Sequence, residues 1–296
     1  MPSLKDIRSR IGSVRNIAQI TRAMEMVAAS RMKRAQDSIL AARPYADELE
    51  DTLRRVAGAE GLTEDVDPLL ARRPVRRAAI IVITTDRGLA GSLNANATRA
   101  VLRWVAERAS RTNGEGRVEI EAITVGRKGR DAVRRAGVPI AAHFPTLGDR
   151  PSFVDVVPIA RLVTADFLAE KYDEIDIAYS TFVSTLSQRP QIDTLLPVVG
   201  PEMAEESERT NDEYLFEPSP EAVLSRLLPH FVAIDLYRAV LENQASEQSA
   251  RMIAMRNSTD NANELIDDLT LVYNKTRQAT ITREMIEIAS GAEALG

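Results

Sequence analysis

From Arg251 to Leu295 the chain contains no proline and meets its first glycine only at Gly291. Apolar residues in this run fall at Met255, Ala262, Leu265, Leu269, Val272, Ala279, Met285 and Ile288, mostly three or four apart, the spacing of one helical face. Upstream, Ser219, Pro220 and Glu221 supply an N-cap, a first-turn proline and an acid matched to the helix dipole, so the predicted helix covers residues 219–296. At 1.5 Å per residue, about 70 residues of helix reach roughly 105 Å. An ordinary globular domain is narrower than that. The helix must therefore leave the body of its protein, and its apolar seam needs a partner helix. Pro229 removes a backbone donor early in the run and is expected to bend the helix near its foot.

The N-terminal segment has the matching pattern. Leu4, Ile7, Ile11, Val14, Ala18, Thr21, Met24 and Ala28 alternate steps of three and four, and no proline falls between Pro2 and Pro44. Ser3 and Asp6 resemble a capping box with Asp in place of Glu. The predicted helix, residues 1–57, would run roughly 80 Å. Since both terminal helices join the same intervening region, a long antiparallel coiled coil is expected, with both chain ends at the far tip. Around ITRAMEMVAAS the seam is Ala, Met and Thr, which permits close approach. An ordinary helical hairpin with an Ala-rich core accounts for that pattern equally well.

Composition agrees with long helices, because aromatic residues make up only 4% of a chain that is 44% hydrophobic. Cysteine is absent, which excludes disulfides, thiolate catalysis and cysteine-held metal, and fits a reducing compartment. The two histidines, His143 and His230, do not have metal-ligand spacing, so neither a metal nor a cofactor is expected. No stretch resembles a signal peptide or supplies 18 consecutive apolar residues, so membrane association is expected only through partners. Charge is uneven. Residues 1–36 hold eight bases against two acids, +6 in a chain of net −5, leaving −11 elsewhere. Such a basic helix suits nucleic acid, anionic lipid or an acidic protein surface, or its bases pair with Asp260, Glu264, Asp267 and Asp268 of the C-terminal helix.

Between the helices the period changes. Residues 58–77, with Gly58, Gly61, Pro68 and Pro74, read as a linker. Residues 78–200 then alternate strands and helices: AAIIVITT (Ala78–Thr85), the turn DRGLAGSLN and a helix, VEIEAITVG (Val118–Gly126), the helix RKGRDAVRRAG, VPIAAHF, a further helix, IDIAYSTFVS (Ile175–Ser184) and QIDTLLPVV (Gln191–Val199). This order predicts a mostly parallel, Rossmann-like α/β body ending in an antiparallel hairpin. Residues 201–218 form an acidic linker in which EYLFEP suggests an edge strand.

The strand–glycine turn–helix at Ile80–Ala97 invites a nucleotide. Its glycines are only Gly88 and Gly91, without the G-x-G-x-x-G spacing or the Gly-Lys-Ser/Thr of a phosphate loop, so the turn is read as structural. Hydrolytic chemistry fares no better, because the neighbouring Asp267 and Asp268 point in different directions on a helix. The cluster Arg256, Asn257, Ser258, Thr259, Asp260, Asn261 and Asn263 is less ordinary. So many indifferent helix formers mark either a soft point or a surface that meets another protein, and the second reading is preferred.

Three stretches, SLKDIRSRIGSVRNIAQITRAMEMVAASRMKRAQ, TTDRGLAGSLN and ARMIAMRNSTDNANELIDDLTLVYNKTRQATITREMIEIASGAEAL, closely resemble the gamma subunit of the rotary (F-type) ATP synthase of bacterial type. The resemblance spans essentially the whole chain. It implies a non-catalytic central shaft that turns inside the catalytic alpha/beta hexamer and couples ion flow to conformational change there, with a body near the epsilon subunit and the membrane ring of the proton channel. It also implies a peripheral position at the cytoplasmic face of the cell membrane, with no nucleic acid and no direct insertion. By resemblance, Arg277 and Gln278 catch a beta subunit and Met24 lies near the moving interface. Arg31, Lys33 and Arg34 form a basic band for acidic loops of the hexamer, and Arg256 and Asp260 complete the expected contact set. Ala90 stands where many bacterial relatives carry cysteine, and the cysteine-bearing insertion of the chloroplast form is missing, so thiol regulation of that kind is excluded. Two other readings remain: an unrelated coiled-coil scaffold with an α/β head, which would self-associate through its arms, and a Rossmann enzyme with helical arms, which would bind a cofactor.

Overall fold

The computed structural model describes residues 3–59, 67–110, 117–198 and 219–293. In chain order they form α1 (Leu4–Ala59), β1 (Arg77–Ile83), α2 (Leu93–Ser110), β2 (Glu119–Val125), α3 (Arg127–Arg135), β3 (Ile140–Phe144), α4 (Phe153–Leu168), β4 (Glu174–Ser184), β5 (Ser187–Leu196) and α5 (Pro220–Glu293). The chain divides into two compact units, one made of Met1–Ala29 with Arg251–Gly296 and the other of Ser30–Ala250. Among the described residues, no helix is long and apolar enough to cross a membrane. The suggested strand EYLFEP lies outside the described residues.

The larger unit is built on a five-stranded sheet of order β3-β2-β1-β4-β5, in which β1 to β4 run parallel and β5 returns antiparallel to β4. Six of the seven residues of β1 are buried, which is why it reads as an unbroken apolar run. Its side chains nonetheless alternate between faces. Ala79, Ile81 and Ile83 pack with Leu49 and Leu53 of α1, Ile159 and Phe167 of α4, and Leu224, Leu228 and Leu236 of α5. Ala78, Ile80 and Val82 pack with Val101 and Trp104 of α2 and Val133 of α3. The sheet is thus the middle of three layers.

One strand departs from expectation: β5 begins at Ser187, not Gln191. The segment SQRP looks like a loop because it is polar and contains Pro190. That proline pairs opposite Ser180 on an edge strand, where its missing N–H can face away from the ladder. Helix signals fared well. Ser3 and Asp6 make the reciprocal capping box, Ser3 N–H to Asp6 Oδ2 at 3.2 Å and Asp6 N–H to Ser3 Oγ at 3.2 Å. The Ala222 N–H donates to Ser219 Oγ at 3.3 Å, and α5 continues as helix through Pro229.

In the smaller unit the two terminal helices pair antiparallel, since partner numbers fall on α5 as they rise on α1. Val14 and Ala18 pack with Ala262, Ile266 and Leu269. Thr21 and Thr259 share a buried hydroxyl hydrogen bond of 2.7 Å, and Arg256 Nε donates to Glu25 Oε1 at 2.8 Å. The expected seam on α1 is the buried one. On α5 the expectation needs correction, because Leu265, Val272, Met285 and Ile288 are 40%, 46%, 63% and 72% exposed, and Ala279 is exposed too. The inward positions are Met252, Met255, Thr259, Ala262, Ile266, Leu269, Tyr273, Thr276 and Thr280, buried or half-buried. They step regularly by three and four, whereas taking Leu265 after Ala262 repeats a step of three and slips one residue off the seam. With Thr21 opposite Thr259, Ser3, the cap of α1, falls opposite about residue 277. Ile281, Met285, Ile286 and Ile288 lie beyond its reach and are exposed.

Candidate partner interface

Each expected contact residue sits on one of the long helices. Within the smaller unit Met24 is half-buried, Arg256 is held by Glu25, and Asp260 is exposed one turn further along α5. Arg277 and Gln278 are exposed where α1 begins, roughly 25 Å along α5 from Asp260 at 1.5 Å per residue. Within the larger unit Arg31 binds Asp149 Oδ1 at 2.6 Å, so it is engaged in its own chain, while Lys33 and Arg34 are exposed. The Arg34 guanidinium reaches the Ser30 carbonyl at 3.3 Å. Among the described residues Asp260, Glu264, Asp267 and Asp268 make no ion pair, so the N-terminal bases do not pair with them. The pair that joins the helices runs the other way, from Arg256 to Glu25.

An open parallel sheet receives a ligand beyond the carboxyl ends of its strands, where the strand order reverses. Here that reversal lies between β1 and β4, and at the carboxyl end of the neighbouring β2 the chain covers the helix N-terminus itself. Gly126, at φ 93° and ψ 149°, turns β2 into α3, and its N–H donates to the Phe144 carbonyl at 3.0 Å. The next three N–H groups, which a phosphate would otherwise take, bind Asp86 Oδ1 at 2.7 Å, the Thr85 carbonyl at 3.0 Å and Thr84 Oγ1 at 2.7 Å. At the start of α2, the Asn94 amide donates to Thr85 Oγ1 at 2.9 Å and closes the DRGLAGSLN turn onto the strand. The first N–H groups of α3 are thus taken by the chain's own oxygens.

Asp86 is the keystone of this end, and neither composition nor periodicity singles it out. Its Oδ2 accepts from Thr146 Oγ1 at 2.7 Å, so one carboxylate ties together the segments after β1, β2 and β3. Partial burial pushes its pKa up, but hydrogen bonds from Thr146 and the Arg127 N–H, aided by the Arg127 guanidinium, outweigh that and leave it below the ordinary value of 3.8. A depressed carboxylate stabilises the fold fully above its unfolded value and loses that contribution as pH falls through the folded one. Asp86→Ala is expected to lose about 1.5 to 3 kcal/mol at neutral pH and less in acid. Urea unfolding at pH 7 and near pH 3 checks this, and an equal loss at both would mean the charge is irrelevant.

A second cluster missed by sequence reading lies on the α2 face of the sheet. Trp104 Nε1 donates to Asp176 Oδ2 at 2.7 Å, and Arg108, one turn on, pairs with Asp176 at 3.1 Å and with Glu174. The i, i+4 spacing of Trp104 and Arg108 is visible in the sequence, but their partners lie on β4, about 70 residues away.

The chain matches the ATP synthase family model over residues 3–295. It is 48% identical to the ATP synthase gamma chain of Dehalococcoides mccartyi over 100% of both chains. With that of Roseiflexus castenholzii it shares 52% identity, over 100% of this chain and 99% of the relative. Among solved structures, the central stalk and c-ring of the Tetrahymena thermophila mitochondrial ATP synthase contains a chain with TM-score 0.58 and 25% identity, covering 80% of this chain and 98% of that one. A chain in the Euglena gracilis mitochondrial enzyme has the same fold, with TM-score 0.68 and 22% identity over 99% of this chain and 94% of that one.

Proposed function

The chain belongs to the ATP synthase gamma-chain family, and from that premise we propose how its geometry serves as the central shaft of the rotary enzyme. The paired terminal helices act as an antiparallel coiled coil held inside the alpha and beta subunits, and the Rossmann-like body sits against the epsilon subunit and the membrane ring of the proton channel, at the cytoplasmic face of the cell membrane. The chain itself carries out no catalysis and holds no cofactor. The observation that carries this reading is the second apolar stripe of α5. Leu271, Val272, Ile281, Met285, Ile286 and Ile288 are 46 to 72% exposed, some because they lie off the seam and the others because α1 has ended. Burial at about 25 cal/mol per Å² favours covering such a stripe, and an encircling hexamer would do so.

A shaft drives identical sites through different states only if it contacts each differently, since a ligand equal toward all states shifts none. The two faces of this pair differ. One bears the Arg256–Glu25 bridge and Asp260; further along, Arg277 and Gln278 stand exposed to catch a beta subunit. Met24, Arg31, Lys33 and Arg34 contribute from α1. Proton flow supplies the work, each charge releasing roughly 2.3 kcal/mol per 100 mV.

The test uses the reconstituted enzyme with a reversible disulfide between the shaft and the surrounding hexamer, placed around Lys33 or near Glu284. Locking at Lys33 should stop coupled turnover, and reduction should restore it. Full ATP synthesis with the lower shaft verifiably locked would overturn the rotary reading.

A further inference from the structure

Helices α2 and α3 lie side by side on one face of the sheet, and between them runs a groove of about 420 Å³, open to solvent, lined by Thr98, Arg99, Leu102, Lys128, Ala132 and Arg135 among others. Its floor is apolar, from Leu102 and Ala132, and its rims are cationic. The bases of α3 divide into two sets. Arg127 pairs with Asp86 at 3.8 Å, and Arg130 and Arg134 with Asp131 at 2.9 and 3.6 Å. Those on the groove form no ion pair among the described residues, although the Asp131 charge is also felt by Arg135. Arg99 touches only the Asn96 amide oxygen at 3.4 Å, and Arg135 the Asp131 carbonyl at 3.0 Å. Lys128 makes no side-chain ion pair among the described residues.

The chain has a net charge of −5, and Arg31, Arg73, Arg108, Lys171, Arg238 and Arg256 each have an acid beside them, whereas the groove cations, like Lys33, Arg34 and Arg277 on the long helices, make no ion pair among the described residues. Three cations along one groove, Arg99, Lys128 and Arg135, repel one another within a Debye length of about 8 to 10 Å, and what would relieve them is a row of carboxylates.

We propose that the α2–α3 groove is a docking surface for an acidic segment of a partner protein, with its Asp or Glu side chains on Arg99, Lys128 and Arg135 and an apolar side chain on Leu102 and Ala132. A peptide suits the groove better than a small anion. The cations are spread along two helices over an open channel, so a single phosphate would stay hydrated and meet only one or two of them, whereas a chain of residues meets them in turn. None of its lining residues belongs to α1 or α5.

The experiment is zero-length carbodiimide cross-linking of the purified whole complex, read by mass spectrometry, because the reagent joins a lysine only to a carboxylate in direct contact. Lys171, 3.0 Å from Asp166, gives an intrachain product that reports the reagent's action. Lys128 is expected to join an Asp or Glu of another subunit. In the variant Arg99→Glu with Arg135→Glu, both exposed positions, that product should fall about tenfold while the Lys171 product and the circular dichroism stay unchanged. Absence of any intersubunit link at Lys128 while the Lys171 product forms would overturn the proposal. So would pyrophosphate, used as a probe at 1 mM, shielding Lys128 of the isolated chain from amine labelling, since the groove would then be a small-anion site.

Discussion

Gly126→Ala is expected to remove at least about 3 kcal/mol from the α/β unit, a large share of the 5 to 15 kcal/mol that holds a typical domain together. At φ 93° the residue occupies a conformation that side-chain-bearing residues rarely adopt. An alanine Cβ would stand 2.2 Å from the Thr84 carbonyl oxygen and 2.9 Å from its carbon. Those atoms belong to backbone continuing from the central strand. They cannot withdraw without disturbing the Thr84 N–H bond to the Val125 carbonyl at 2.9 Å and the Lys128 N–H bond to the Thr85 carbonyl at 3.0 Å. Strain and overlap therefore add. Gly88→Ala is the control, because a Cβ there meets nothing within 4 Å, and its effect should stay within about 0.5 kcal/mol. Urea unfolding of both variants measures the difference. A Gly126→Ala midpoint equal to that of Gly88→Ala would mean that the β2–α3 turn is looser than its geometry.

How far the sequence could be read depended on whether a feature was local. The strand β1, the caps at Ser3 and Ser219 and the inward face of α1 each follow from residues within a few positions of one another. The α5 seam needed more, because Leu265 and Ile266 are adjacent and both apolar. Only the three-four alternation measured against α1 decides which points inward, and the other becomes surface for something else. Asp86 and Thr84 were legible as part of a turn but not as the occupants of the α3 N-terminus, since that requires knowing that β1 and β2 are neighbours. Arg31 looks free in the sequence, and its partner Asp149 becomes visible only in three dimensions. The shaft residues Arg277 and Gln278 rest on resemblance, because exposed side chains on a helix carry no internal signal of what they touch.

Arg108→Ala is the second substitution expected to be severe, and its penalty should depend on pH. The guanidinium lies over the Trp104 ring, 5.3 Å from its centroid, and is the cation between Glu174 and Asp176. The side chains of Arg108, Glu174 and Asp176 are only 16%, 14% and 3% exposed. Burial, with the Glu174 charge added, raises the Asp176 pKa from 3.8 to about 6, even though Arg108 and the Trp104 N–H pull it back. A raised carboxylate pKa means that the folded state prefers the protonated form. The contribution of Asp176 to stability is therefore greatest below its unfolded value, declines as pH rises toward 6, and stays low above that. Each pH unit between the unfolded and folded values is worth about 1.4 kcal/mol. Without Arg108 the folded value rises further, and above neutrality two buried carboxylates face each other with no cation, a loss of about 3 to 5 kcal/mol. Near pH 5 protonation of Asp176 relieves much of that. Denaturation of wild type and Arg108→Ala between pH 5 and 8 should show the gap widening as pH rises. A gap of constant size would assign Arg108 to packing on Trp104 and remove the electrostatic role argued for it.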